Sequence, residues 1–119
     1  MRIALILVSF AFVACGGSSS GPTEAPITMT ASGLSTSAVT IPSGGRVHFF
    51  NMDSVDHQIS SQSCADLDTP MLAPGTDSLR PMMTGPLSCT FGDTVTSRAV
   101  FNGSVTVNAP GSTDGGAGY

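Results

Sequence analysis

Two histidines and three cysteines carry most of the ligating chemistry open to this 119-residue chain: His48, His57, Cys15, Cys64 and Cys89. Imidazole and thiolate donors together suit Cu(I) or zinc, so His57, Cys64 and Cys89 form a candidate metal-ligand set if both thiols are free. The competing chemistry for the same two sulfurs is a Cys64–Cys89 disulfide. That bond would close a loop of about 25 residues, stabilise the fold by roughly 3.5 kcal/mol, and remove Cys89 from any ligand set. The aspartates at 53, 56, 66, 68 and 93 are expected to crowd the end of the fold where His57 lies. Their spacing is not that of a calcium loop, and acidic loops of this kind read as a solvated rim. For catalysis, serine hydroxyls are plentiful, but no histidine is paired by spacing with an orienting acid and an oxyanion hole, so the chain does not read as an enzyme.

His57 has to be positioned by the stretch before it. Arg46-Val-His-Phe-Phe-Asn51 has the period-two alternation of a strand, with Val47, Phe49 and Asn51 on one face and His48 and Phe50 on the other. His48 therefore points away from the side on which His57 and Cys89 could meet, and His57 taken alone reads as a hydrogen-bonded loop or core residue. Further short extended segments follow the same logic: 27–31, 38–41, 58–61, 77–83, 87–91, 99–101 and 104–108. Between them stand Pro42-Ser43-Gly44-Gly45, Ala73-Pro74-Gly75-Thr76, Thr84-Gly85-Pro86 and Asn102-Gly103. Each is turn chemistry, because proline presets φ while Gly and Asn accept positive φ. Asn102-Gly103 predicts a tight hairpin that pairs the last two segments. Residues 62–70 read as an irregular or weakly helical loop near His57.

Short strands at this spacing, with no strand-helix alternation, predict an all-β sandwich of antiparallel strands. Its core would be Ile27, Met29, Val39, Ile41, Val47, Phe49, Ile59, Leu72, Leu79, Leu87, Phe91, Phe101, Val105 and Val107, with Met82 and Met83 as filling. A core of that size is marginal, and a covalent staple would help it. With four Arg, no Lys and a net charge of −4, the chain lacks the basic surface that nucleic acid requires.

The N-terminus supplies the compartment. Residues 1–14 have a positive start at Arg2 and an apolar run too short to span a bilayer, which is the pattern of an export signal. The ending Phe12-Val13-Ala14-Cys15 resembles the lipobox of bacterial lipoproteins, which implies lipidation of Cys15 after cleavage and a membrane anchor. The plainer alternative is an ordinary cleaved signal with Cys15 as a spare thiol. Gly16 after the cysteine resembles lipoproteins sent to the outer membrane of Gram-negative cells. Residues 15–25, rich in Gly and Ser, then read as a flexible tether, residues 26–108 as one folded domain, and residues 109–119 as a disordered tail. The expected location is the exported cell envelope, on its periplasmic or surface face, with the domain a monomer. With Cys15 carrying lipid, an oxidising compartment favours the disulfide for the remaining two cysteines.

From Ile41 to Val107 the sequence resembles the cupredoxins, the family of plastocyanin and amicyanin. The motifs are Ile41-Pro-Ser-Gly-Gly-Arg-Val-His-Phe49, Asn51-Met-Asp-Ser-Val-Asp-His57, Leu72-Ala-Pro-Gly-Thr76, Cys89-Thr-Phe-Gly-Asp93 and Asn102-Gly-Ser-Val-Thr-Val107. The resemblance implies a Greek-key β-sandwich, with His57 in the place of the first copper ligand and Cys89 in that of the copper thiolate. A blue copper centre uses two His nitrogens, one Cys sulfur and a weak axial Met. Here Gly92 stands where the motif has its second histidine, and Met82 and Met83 precede Cys89 where the family's axial Met follows it. The resemblance therefore implies a cupredoxin-like binding or structural domain without a complete type 1 site and without a cofactor. The alternative is a periplasmic copper-binding protein for electron transfer or copper delivery that uses His57 and Cys89.

Overall fold

A computed structural model of the chain describes residues 23–111. The export signal, Cys15 and most of the expected tether and tail lie outside the described residues. Among the described residues, eight strands make two four-stranded sheets. The first is ordered β2 (Gly33–Leu34), β1 (Glu24–Thr30), β4 (Arg46–Asn51), β6 (Asp77–Leu79). The second is ordered β3 (Ala38–Ile41), β8 (Gly103–Val107), β7 (Leu87–Asp93), β5 (Ile59–Ser60).

The sheets are mixed: most pairs are antiparallel, as expected, and two are parallel. β1 runs parallel to β4, with Ile27 beside Phe49, and β3 runs parallel to β8, with Val39 beside Val105. The chain leaves β1, passes through β3 in the opposite sheet, and returns to lay β4 alongside β1, so the two neighbours in the first sheet point the same way. Crossover connections of this kind are what parallel pairs require.

Alternation builds the core as expected. Ala25, Ile27 and Met29 of β1, Val47 and Phe49 of β4, Cys89 and Phe91 of β7, and Val105 and Val107 of β8 all face inward. Phe49 and Phe91 meet edge to face across the two sheets, with ring centroids 5.3 Å apart. Leu67 and Met83 join this core from connecting segments, whereas Leu79, on the outer face of β6, and Leu87, at the first position of β7, are exposed. Met82 is exposed, so only the second of the adjacent methionines fills the interior.

The two turns that frame β4 and β6 form as their residues dictate. Gly44 (φ +91°) follows Ser43 in a turn closed by the Gly45 amide on the Pro42 carbonyl, and Gly75 (φ +81°) follows Pro74 in a turn closed by Thr76 on Ala73. The Asn102-Gly103 hairpin does not form. Residues Ala99–Phe101 are a 3-10 turn rather than a strand, and β8 pairs with β7 and β3 instead. Gly103 serves packing: a Cβ there would lie within 3.0 Å of three atoms of the Phe91 ring. The 62–70 loop carries a 3-10 turn at Ala65–Leu67, as its irregular composition suggested. β1 begins at Glu24, two residues before position 26.

Candidate metal centre

The inward face of β4 reads Val47, Phe49, Asn51 and that of β7 reads Cys89, Phe91, Asp93. Both therefore turn from apolar to polar, and they do so at the same end of the sandwich. Asn51 organises the loop there. Its side-chain amide donates to the carbonyls of Val55 and Leu72, each at 2.8 Å, and its Oδ1 accepts the Asp53 amide at 2.9 Å. Leu72 in turn exchanges two backbone hydrogen bonds with His57. A residue at the end of a strand thus fixes both the loop and the main chain of the histidine.

The His57 ring is fully buried, and each of its nitrogens faces a carboxylate. Nδ1 lies 2.7 Å from Asp93 Oδ2 and Nε2 lies 2.9 Å from Asp53 Oδ2. A carboxylate only accepts, so both contacts are hydrogen bonds together only when the ring carries two protons, as an imidazolium. Phe101 covers the ring with its centroid 4.4 Å away, and Arg98 lies over the Phe101 ring.

Asp93 accepts from five donors. Besides His57 these are the Gln58 amide on Oδ1 at 2.9 Å, the Val95 amide at 3.1 Å, and the Thr96 amide and hydroxyl at 3.2 and 2.6 Å. Burial opposes its ionisation, but the bonds from Thr96, Gln58, His57 and Val95 outweigh burial and lower its pKa to about 2. Asp53 is lowered too, first by its bond to His57 and then by the Ser54 amide.

The other residues singled out from the sequence are dispersed. Cys64 and Cys89 are joined in a disulfide with Cα atoms 5.7 Å apart, so neither is a free thiol. Asp93 and Cys89 are four residues apart on one strand, about 13 Å, and it is Asp93 that reaches His57. The structure therefore does not bring His57, Cys89 and Cys64 together as a ligand set. Gly92, between the inward-facing Phe91 and Asp93, turns its Cα hydrogens to the outer face, where a Cβ would meet Asn102 Oδ1 at 2.8 Å. His48 is on the outer face of β4, as its parity predicts. The five aspartates divide: Asp53 and Asp93 hold His57, Asp56 is exposed, and Asp66 and Asp68 belong to the 3-10 turn, where Asp68 Oδ1 accepts the Ser61 amide. Asp93 as the partner of His57 was missed by the sequence reading. The available signal was the parity Cys89, Phe91, Asp93, which places a carboxylate on a buried face.

By sequence, the chain matches no protein-family model and no curated protein. By structure it is similar to a purple cupredoxin from Nitrosopumilus maritimus, at 23% identity and TM-score 0.59, over 71% of this chain and 99% of that one. It is also similar to auracyanin from Roseiflexus castenholzii, at 18% identity and TM-score 0.62, over 73% and 98% of the two chains. A third is plastocyanin from Dryopteris crassirhizoma, at 19% identity and TM-score 0.58, over 71% and 100%. The fold is that of a cupredoxin.

Within the cupredoxin fold, the resemblance places His57 as the first ligand of a type 1 copper centre. The donors around it do not fit such a centre. The atom next to its Nδ1 is a carboxylate oxygen, its Nε2 is bonded to a second carboxylate, and the sulfur of Cys89 is bonded to Cys64. Soft sulfur and free imidazole nitrogen define a blue copper site, and neither stands beside His57. Among the described residues no group of three or more His, Cys, Asp or Glu side chains is arranged to hold a metal ion, because the two carboxylates approach opposite edges of one ring.

Proposed function

We propose that this cupredoxin domain is a binding or structural module of the bacterial cell envelope, lipid-anchored through Cys15, in which a buried histidine–carboxylate bridge has taken over the position of the type 1 copper. The observation that carries this reading is the bond from His57 Nδ1 to Asp93 Oδ2, buried and set where copper chemistry would need a metal and a thiolate. A carboxylate–imidazole–carboxylate chain ties the 51–57 loop to β7 much as a metal ties its ligands together. It does so without a redox couple, which is why we assign binding or display rather than electron transfer. The acidic balance and the absence of a basic patch agree with a role that does not involve nucleic acid.

The test is to produce the exported chain, count its free thiols, and titrate it with Cu(I) and Cu(II). No free thiol, no stoichiometric copper and no intense visible band are expected. Two free thiols together with a visible band that His57→Ala abolishes would overturn the proposal. That result would establish the alternative, a periplasmic electron-transfer or copper-delivery protein using His57 and Cys89.

A further inference from the structure

The second histidine also lies between two carboxylates, but on the outer face of the other sheet and within reach of water. In the β1-β4-β6 sheet, His48 is flanked in register by Pro26 on β1 and Leu79 on β6. Its Nδ1 lies 2.8 Å from Glu24 Oε1, on the first residue of β1, and its Nε2 is bonded to Asp77 Oδ2, on the first residue of β6. Phe50 stacks on the ring with centroids 4.0 Å apart and helps leave the side chain only 16% exposed. One side chain therefore spans three strands, through two bonds that leave its ring in opposite directions.

The geometry points to a proton-operated clasp: with both ring nitrogens protonated, His48 fastens the N-terminal end of β1 and the start of β6 to β4, and on losing a proton it releases one of them. A neutral imidazole donates from a single nitrogen, so one carboxylate must then face a lone pair. The charges around the ring fix which hold is weaker. Arg46, on the same face of β4, has Nη2 3.8 Å from Glu24 Oε2, so Glu24 has a second cationic partner besides His48. Arg80, just after β6, is turned to the Asp66 carbonyl and Ser78 Oγ. Among the described residues, Asp77 therefore has His48 as its one ion-pair partner.

The direction of the switch follows from the same contacts. Burial works against the charged ring, but the bonds from Asp77 and Glu24 outweigh it and raise the His48 pKa above 6.5. The clasp is then complete below the unfolded value and is lost as pH rises through the raised folded value. This inference rests on the sheet alone and is independent of the metal question and of the lipid anchor. Under the tethered reading, however, β1 is the strand through which any pull from the membrane would enter.

Imidazole NMR titration of the full chain, with hydrogen exchange of the β6 amides at each pH, tests the clasp. The two histidines are told apart with His48→Gln. The His48 midpoint is expected above the free value of about 6.5, and β6 protection factors, corrected for intrinsic exchange, should drop roughly threefold to tenfold across it. His48→Gln should show no such step. Glu24→Gln, a milder change, should lower the His48 midpoint. A His48 midpoint at or below the free value, or an equal step in His48→Gln, would overturn the clasp; so would a midpoint unmoved by Glu24→Gln.

Discussion

At the scale of single residues, Asp93 is the side chain on which the His57 site turns. A buried carboxylate that accepts five bonds is worth more ionised than neutral, and its pKa of about 2 converts this into a pH dependence. Its unfolded value is near 3.8, so its contribution is complete above that pH and is lost as pH falls through about 2. The contribution is about 2 kcal/mol. Asp93→Asn replaces one acceptor oxygen with a donor that faces other donors. Chemical denaturation should find the variant at least about 2 kcal/mol less stable at neutral pH and with a smaller acid-induced loss between pH 4 and 2 than the parent. Equal acid sensitivity in both proteins would assign the effect to other carboxylates. Gly92 leads to a contrasting prediction. Read as a motif, it is the position of a missing histidine; placed on its strand, it faces the opposite side from His57. Gly92→His should therefore leave the copper titration as blank as the parent's, because the new ring stands on the outer face beside Asn102. Stoichiometric copper uptake on that substitution would mean that β7 is twisted differently at its end.

At the scale of elements, the turns and the alternation were legible, because proline, glycine and apolar parity act locally. Pro42–Gly45 and Ala73–Thr76 fold as their residues predict, and Val47, Phe49, Val105 and Val107 face inward as counted. What could not be read locally was the competition between partners. Ala99–Phe101 is apolar enough for a strand, yet β8 has its two neighbours already in β3 and β7, so the short segment coils and sends Phe101 over His57 instead. The segment expected at 87–91 runs on through Asp93, because Ile59 and Ser60 pair with Asp93 and Gly92 there. The disulfide also belongs to this scale. It ties the 3-10 turn after Cys64 to the middle of β7, the strand that carries Asp93 at its end. Its removal in a Cys64→Ala, Cys89→Ala chain should lower the unfolding free energy by roughly 3.5 kcal/mol. The His57 ring should nevertheless keep its carboxylate partners, since these bind it through β7 and the 51–57 loop. Loss of the buried His57 NMR signal in that variant would show the staple and the histidine–carboxylate bridge to be one cooperative unit.

At the scale of the whole molecule, the sandwich was recoverable from motifs because the family's turns and strand ends recur in order from Ile41 to Val107. The chemistry was not recoverable, because a ligand set is a matter of which strand positions meet. Cys89 has the residue type of a copper thiolate, while Asp93 has the place beside His57. The same separation of scaffold from site bears on the anchor. β1 begins at Glu24, and its first contacts are Arg46 on Thr23 and His48 on Glu24. If Cys15 carries lipid and the fold is self-sufficient from Thr23 onward, attachment and stability must be separable. Cys15→Ser should move the protein from the membrane fraction to the soluble exported fraction, abolish any acyl mass, and leave the thermal midpoint unchanged. An unchanged membrane fraction would remove the anchor from the account while leaving the sandwich intact. A lowered midpoint would mean instead that the segment before Thr23 packs against the domain, and that its pull on β1 is part of how the fold is held.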